Sequence, residues 1–223
     1  MEKRDGGAIR TESSIYSKTF LWMFLGLFAT GLISWYTYST GLAASIMSGA
    51  GFAVVMIVEL VVVLLFSFLF RKLPPTVVAI LFFVYAIFNG ISLSTIFYTF
   101  QLKSIIIVFF ASAALFGLFA FIGAITKKDL SKLGTILFGV LIVGIIVSLI
   151  NLFVGNSMID LIVSWIVLFV FFGVTAYDMQ KIRVFSESGA IPADKVHIYG
   201  AMQLYLDFIN IFVRILNIFG KRE

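Results

Sequence analysis

Cysteine is missing from this chain altogether, and histidine occurs once, as His197. The first absence excludes disulfides, thiolate metal sites and cysteine nucleophiles, and it leaves the redox compartment undetermined. The second argues against a membrane-embedded zinc hydrolase, which needs several histidines or equivalent ligands converging on one ion. Charge is scarce too: Asp, Glu, Lys and Arg together make up 12% of residues, against roughly 25% in ordinary soluble domains. Of the three prolines, Pro74 and Pro75 close one connection and Pro192 lies in the polar stretch "RVFSESGAIPADK". Internal repeats and low-complexity tracts are also lacking.

What is abundant is apolar surface, at 61% of residues with a mean hydropathy of +1.13. Unbroken apolar runs are read at 20–38, 51–70, 76–100, 104–125, 133–154, 158–179 and 196–219, each near the roughly 20 residues that cross a bilayer as helix. Barrel strands would alternate, and an isolated strand in lipid leaves its backbone unsatisfied. The expected fold is therefore an all-α integral membrane protein with seven transmembrane helices. Residues 1–19 read as a short basic N-terminus and 20–223 as one transmembrane domain. "GLAAS" (41–45) offers small residues for signal cleavage, but the first run is longer than a usual signal core and is expected to be retained. A retinal protein would need a lysine within a helix, and Lys221 lies beyond the last one.

The net charge of +5 follows topology and does not imply nucleic-acid binding. Lys3, Arg4, Arg10 and Lys18 precede the first run; Arg71, Lys72, Lys127, Lys128, Lys132, Lys181, Arg183 and Lys195 fall in the even connections. Only Lys103 falls in an odd one, so the basic residues divide twelve against one. By the positive-inside rule the N-terminus and the even connections are cytoplasmic. Seven crossings place the C-terminus outside, whereas Lys221 and Arg222 favour the cytoplasm, so charge counting leaves the tail's side open.

The last run carries the informative residues. Gln203, Asp207, Asn210, Arg214 and Asn217 are spaced four, three, four and three, which puts them on one helical face. A central Asp or Arg facing lipid costs about 2.5–3.5 kcal/mol on insertion scales, so the stripe must face protein or water. Asp207 and Arg214 are roughly 10 Å apart along the axis, too far to pair directly. Partners must come from other helices, where Glu59, Asn89, Asn151 and Asp178 are available. By depth, Glu59 is expected to meet Arg214, and Asp178 to meet Asp207. Two carboxylates in low dielectric do not both ionise cheaply and titrate as a unit. Singly protonated, they share a hydrogen bond; deprotonated, they repel or recruit a cation such as Arg71, Lys181 or a metal ion. The plainer reading is that these groups only hold helices together. Asn89 and Asn151 fit that role best, and His197 is expected to be solvated at a helix start.

"LYLDFINIFVRILNIFG" (204–220), "AYDMQKI" (176–182), "TKKDLSKLG" (126–134) and "FNGISLSTI" (88–96) together resemble the transmembrane Bax inhibitor motif family, typified by Bax inhibitor-1, over essentially the whole chain. The resemblance implies seven helices with the last at the centre of the other six, and a pH-sensitive calcium leak. In eukaryotes the family is linked to suppression of cell death and to calcium handling at the endoplasmic reticulum. Its paired aspartates match Asp178 and Asp207, implied to sense pH and to gate, and its helix-two acid matches Glu59. Its helix-seven arginine falls where this chain has Asn217, with Arg214 one turn earlier on the same face. Arg71 is the nearest match to its helix-two arginine.

Calcium takes six to eight oxygen ligands. Asp178, Asp207, Asn210 and a few carbonyls or waters make an incomplete site, which suits a permeant ion better than a stored one. The expectation is a pH-sensitive calcium leak channel, not an enzyme, without cofactor, in contact with lipid, calcium, protons and membrane-protein partners. Alternatives are an interaction protein with a purely structural polar core, or a cation/proton exchanger. A prokaryotic plasma membrane is favoured over the endoplasmic reticulum.

Overall fold

A computed structural model describes residues 5–47, 50–189 and 191–223, so Lys3 and Arg4 of the basic count lie outside the described residues. The helices are α1 (Asp5–Ser39), α2 (Leu42–Met47), α3 (Gly51–Leu69), α4 (Pro75–Leu93), α5 (Ile96–Thr99), α6 (Leu102–Ile125), α7 (Ser131–Val154), α8 (Ser157–Ser188) and α9 (Ala193–Phe219). Among the described residues there is no strand, as unbroken apolar runs require. Among the described residues seven spans are long and apolar enough to cross a membrane: Ser14–Ser39, Gly51–Leu69, Pro75–Thr99, Leu102–Ile125, Ser131–Asn151, Ser157–Ser188 and Asp194–Phe219. Each overlaps one expected run. The first begins earlier than expected, and the sixth extends nine residues further, carrying the polar segment "TAYDMQKIRVFSES" as continuous helix.

Local chemistry sets the boundaries. Pro75 occupies the first turn of α4, where a missing N–H breaks no bond. α7 ends on Gly155, whose φ of 69° is left-handed and favours glycine. Asn156 then caps α8, its Oδ1 accepting from the backbone N–H of Met158 (2.9 Å) and Ile159 (3.3 Å). Asn151 clasps the same turn through both ends of its amide, bonding the N–H and the carbonyl of Asn156.

The chain divides into two compact units, Met1–Thr99 with Val184–Tyr205, and Phe100–Arg183 with Leu206–Glu223. In the first, α1 packs against α4: a Cβ added at Gly90 would lie 2.8 Å from the carbonyl oxygen of Thr30, so only glycine permits this approach. Phe66, Phe70, Phe82 and Tyr85 supply aromatic contacts to Tyr199 and Tyr205. His197 is half-buried with its ring 6.1 Å from that of Trp22, so it belongs to a packed cluster rather than to a solvated helix start.

In the second unit, Phe208 meets Phe109 and Phe116 edge-on, and Phe119 stacks on Phe172 at 4.5 Å. The connection 126–130 is held from α8. Arg183 donates to the carbonyls of Ala124 and Thr126, which have lost their helical partners at the end of α6. Gln180 donates to the carbonyl of Lys128 and accepts from the N–H of Leu130. Asp129 accepts from Ser131 at the start of α7, and those bonds hold its carboxyl below the usual carboxylate range. The motif "TKKDLSKLG" is thus a loop, 126–130, whose backbone is bonded by side chains of "AYDMQKIR", followed by the first turn of α7.

α9 is the most buried of the seven spans, half of it inaccessible. Residues 193–205 belong to the first unit and 206–219 to the second.

Candidate functional site

Asp178 on α8 and Asp207 on α9 both lie in the second unit, 6% and 2% exposed. They are close enough that the charge of one acts on the other. Beside Asp207 stands the fully buried hydroxyl of Thr175, one helical turn before Asp178. That hydroxyl donates at 2.8 Å to the carbonyl of Phe171, and its single proton must serve either this carbonyl or the carboxylate. Oδ2 of Asp207 has no hydrogen-bond partner among the described residues. Lys181, one turn beyond Asp178, is the cation whose charge acts on that acid, and its ammonium also lies 5.5 Å over the ring of Tyr177.

Toward the other end of the same helices a cleft of about 680 Å³ opens among α7, α8 and α9. Asn210 and Arg214 form its α9 wall, Phe171 and Asp160 its α8 wall, and Ser148 and Asn151 its α7 wall. Asn210 is three residues beyond Asp207, about 4.5 Å along the axis at 1.5 Å per residue. The cleft therefore ends about one turn from Asp207, and on α8 it reaches no nearer Asp178 than Phe171, about two turns away. Arg214 is half-buried; its Nη1 donates to Ser164 Oγ at 3.4 Å, and the charge of Asp160 acts on it. Its Nε is buried without a hydrogen-bond partner among the described residues. Asn217 continues the stripe into a smaller pocket of about 270 Å³ shared with Asp160, Ser164 and Arg222.

The remaining candidates belong to the first unit. Glu59 accepts a short hydrogen bond from the hydroxyl of Ser92 and another from the amide of Asn89. Asn89 Oδ1 accepts at 3.0 Å from Tyr205, whose hydroxyl is 2.7 Å from that of Thr30; the single Thr30 proton serves either Tyr205 or the carbonyl of Ala86. The donors run from Tyr205 through Asn89 to the Glu59 carboxylate, with Thr30 at the Tyr205 end. Gln203 is half-buried nearby in sequence on α9. Arg71 is exposed, with its guanidinium 5.8 Å over the rings of Phe70 and Phe185 and its carbonyl accepting from Lys195.

Sequence reasoning brought together Asp178 and Asp207. The partner it assigned Glu59 was Arg214; the partners found are Ser92 and Asn89 for Glu59, and Ser164 with Asp160 for Arg214. Asp160, Ser164, Thr175 and Tyr205 were missed. Asp160 and Ser164 were legible as an acid and a hydroxyl four residues apart at the start of a span. Thr175 and Tyr205 give no such signal, because an isolated hydroxyl in an apolar run is ordinary.

These features define a polytopic helical membrane protein with two buried carboxylates on α8 and α9 and a separate cleft among α7, α8 and α9. The chain belongs to the Bax inhibitor family: the family model described as "Inhibitor of apoptosis-promoting Bax1" matches residues 12–223. It is 35% identical over 208 residues to the inner membrane protein YbhL of Escherichia coli, covering 91% of this chain and 89% of that one. An uncharacterized protein of Deinococcus radiodurans is 38% identical over 212 residues, covering 93% and 90%. A third relative, an uncharacterized protein of Rickettsia prowazekii, is 34% identical over 209 residues, covering 92% and 89%.

Proposed function

We propose that this protein is a pH-sensitive calcium leak channel of a prokaryotic plasma membrane, with the N-terminus cytoplasmic and Asp178 and Asp207 as its pH sensor and gate. The observation that carries this reading is the position of the two acids, both buried and within reach of each other's charge, with Asp207 about one turn from the cleft among α7, α8 and α9 and its Oδ2 without a hydrogen-bond partner among the described residues. With both carboxylates ionised, the pair is a doubly negative site that a divalent cation neutralises. With one proton between them, a shared hydrogen bond replaces the cation. Protons and calcium thus compete for the same oxygens.

The site is suited to passage rather than storage. Asp178, Asp207, Thr175 and Asn210 supply four oxygens if each carboxylate binds through one, short of the six to eight that calcium takes, so an ion keeps part of its water and leaves readily. Among the described residues no group of three or more His, Asp or Glu side chains converges on one point. Asp160 at the cleft attracts cations, and Arg214 beside it limits how many enter. The Thr30–Tyr205–Asn89–Glu59 chain has a supporting role.

The test is calcium entry into proteoliposomes holding a calcium-sensitive dye, followed between about pH 5 and 8, where a coupled carboxylate pair is expected to titrate. Wild-type flux falls as pH falls, and in Asp207→Asn the flux no longer responds to pH. Flux that keeps its full pH response in the variant would sink the proposal. A flux of calcium locked in fixed ratio to a counterflow of protons would replace the channel with an exchanger.

A further inference from the structure

Charge counting leaves two anomalies, Lys103 as the lone basic residue of the odd connections and the basic pair Lys221–Arg222 after the last span. Both occur at one place. The C-terminal tail turns back onto the start of α6: Phe100 and Arg222 form an antiparallel bridge, the N–H of Gln101 donates to the carbonyl of Lys221 at 2.9 Å, and the N–H of Lys221 donates to Ser104 Oγ at 3.0 Å. The tail thereby brings Lys221 to the same end of α6 as Lys103.

Below these lysines a groove of about 690 Å³ runs between α6, α8 and α9. Its α6 wall carries Ile107, Ala111 and Leu115, spaced along one face, and its opposite wall carries Phe169, Phe172 and Ile215. Trp165 stacks on Phe169 and meets Phe219 edge-on at 5.5 Å, which stiffens the wall nearest the lysines. Ala111 keeps the groove floor low at mid-depth. The groove is thus polar and doubly cationic at one end and apolar over the following turns of α6, about 16 Å from Ser104 to Leu115 at 1.5 Å per residue. An anionic phospholipid has this same polarity, a charged phosphate at the membrane surface and an acyl chain running inward. A soluble anion would have no use for the apolar length, and a neutral acyl chain none for the two lysines.

We infer that the groove between α6, α8 and α9 is a specific site for an anionic phospholipid, its phosphate held by Lys103 and Lys221 and one acyl chain lying against Ala111 and Phe169. Basic pockets between transmembrane helices are recognised sites for anionic head groups on the cytoplasmic side of membranes, and the same pairing of lysine with phosphate operates at the opposite face, where the proposed topology puts Lys103. The site does not depend on the calcium-leak reading, and its test involves no flux.

Trp165 reports occupancy. In the Trp22→Phe, Trp35→Phe protein, the fluorescence of Trp165 is measured in vesicles of unlabelled phosphatidylcholine titrated with either phosphatidylglycerol or phosphatidylcholine brominated on the acyl chain. Brominated phosphatidylglycerol is expected to quench at roughly thirtyfold lower mole fraction than brominated phosphatidylcholine, since two lysines near the surface together contribute on the order of 2 kcal/mol. Lys103→Gln with Lys221→Gln removes the difference and leaves the phosphatidylcholine curve unchanged. Ala111→Phe, which fills the groove without altering charge, removes the tight quenching by phosphatidylglycerol. Equal quenching by the two lipids in the parent protein, or a preference that survives the double lysine substitution, overturns the site. Displacement of the brominated lipid by millimolar inorganic phosphate also overturns it, because the acyl chain then contributes nothing to binding.

Discussion

At the scale of single residues, the buried polar groups separate into those that are satisfied and those that are not. Tyr205 is fully buried and sits between two partners, the hydroxyl of Thr30 and the amide oxygen of Asn89. Tyr205→Phe keeps the ring contacts with Phe82 and Tyr85 but leaves Thr30 and Asn89 each short of one bond. The expected loss is about 1–3 kcal/mol, the cost of stranding buried polar groups, measured as a lower midpoint of unfolding in detergent. A midpoint unchanged from wild type would mean that the Thr30–Glu59 chain carries no stability. Asp207 is the opposite case, with Oδ2 unpartnered among the described residues. The difference explains why Asp207 and not Glu59 is the position at which substitution is expected to change pH response rather than stability.

At the scale of elements, the acids are placed by how closely α6, α7 and α8 approach. Gly123 on α6 faces the backbone of α8 at Ala176, where an added Cβ would fall 2.7 Å from Ala176 Cα. Gly134 on α7 meets the ring of Tyr177, and Gly173 on α8 meets Leu137. Backbone does not move aside as a flexible side chain does, so Gly123→Ala is expected to destabilise by roughly 1–3 kcal/mol. Because Ala176 is two residues from Asp178, the same substitution should also alter the pH response of the proposed calcium flux. Gly117, on the same helix, has open space around it. There alanine is expected to be neutral or to stabilise by up to about 1 kcal/mol through helix propensity. Thermal unfolding of the two variants side by side checks the pair: equal midpoints would mean that the α6–α8 approach is not tight.

At the scale of the whole molecule, the antiparallel bridge between Phe100 and Arg222 places the tail on the same membrane face as the start of α6. The absence of cysteine makes this directly testable. Single cysteines at Lys103 and Arg222 should react with a membrane-impermeant thiol reagent from one side of intact cells, and one at Lys128, beyond the far end of α6, only after the membrane is opened. Labelling of Lys103→Cys and Arg222→Cys from different sides would show that the tail does not return to the start of α6. The sequence by itself determined the class and the spans, because hydrophobic length and the cost of unpaired backbone in lipid leave no other fold for seven such runs. It also picked out the acids on α8 and α9, because a charge in an apolar run must find a partner. Only the tertiary structure decided who the partners were. Depth along a helix is readable from residue count, but rotation and tilt come from packing at positions such as Gly90, Gly123 and Phe208, which no spacing rule encodes. That is why Asp178 and Asp207 were matched from sequence, while Glu59 was assigned Arg214 and found with Ser92 and Asn89.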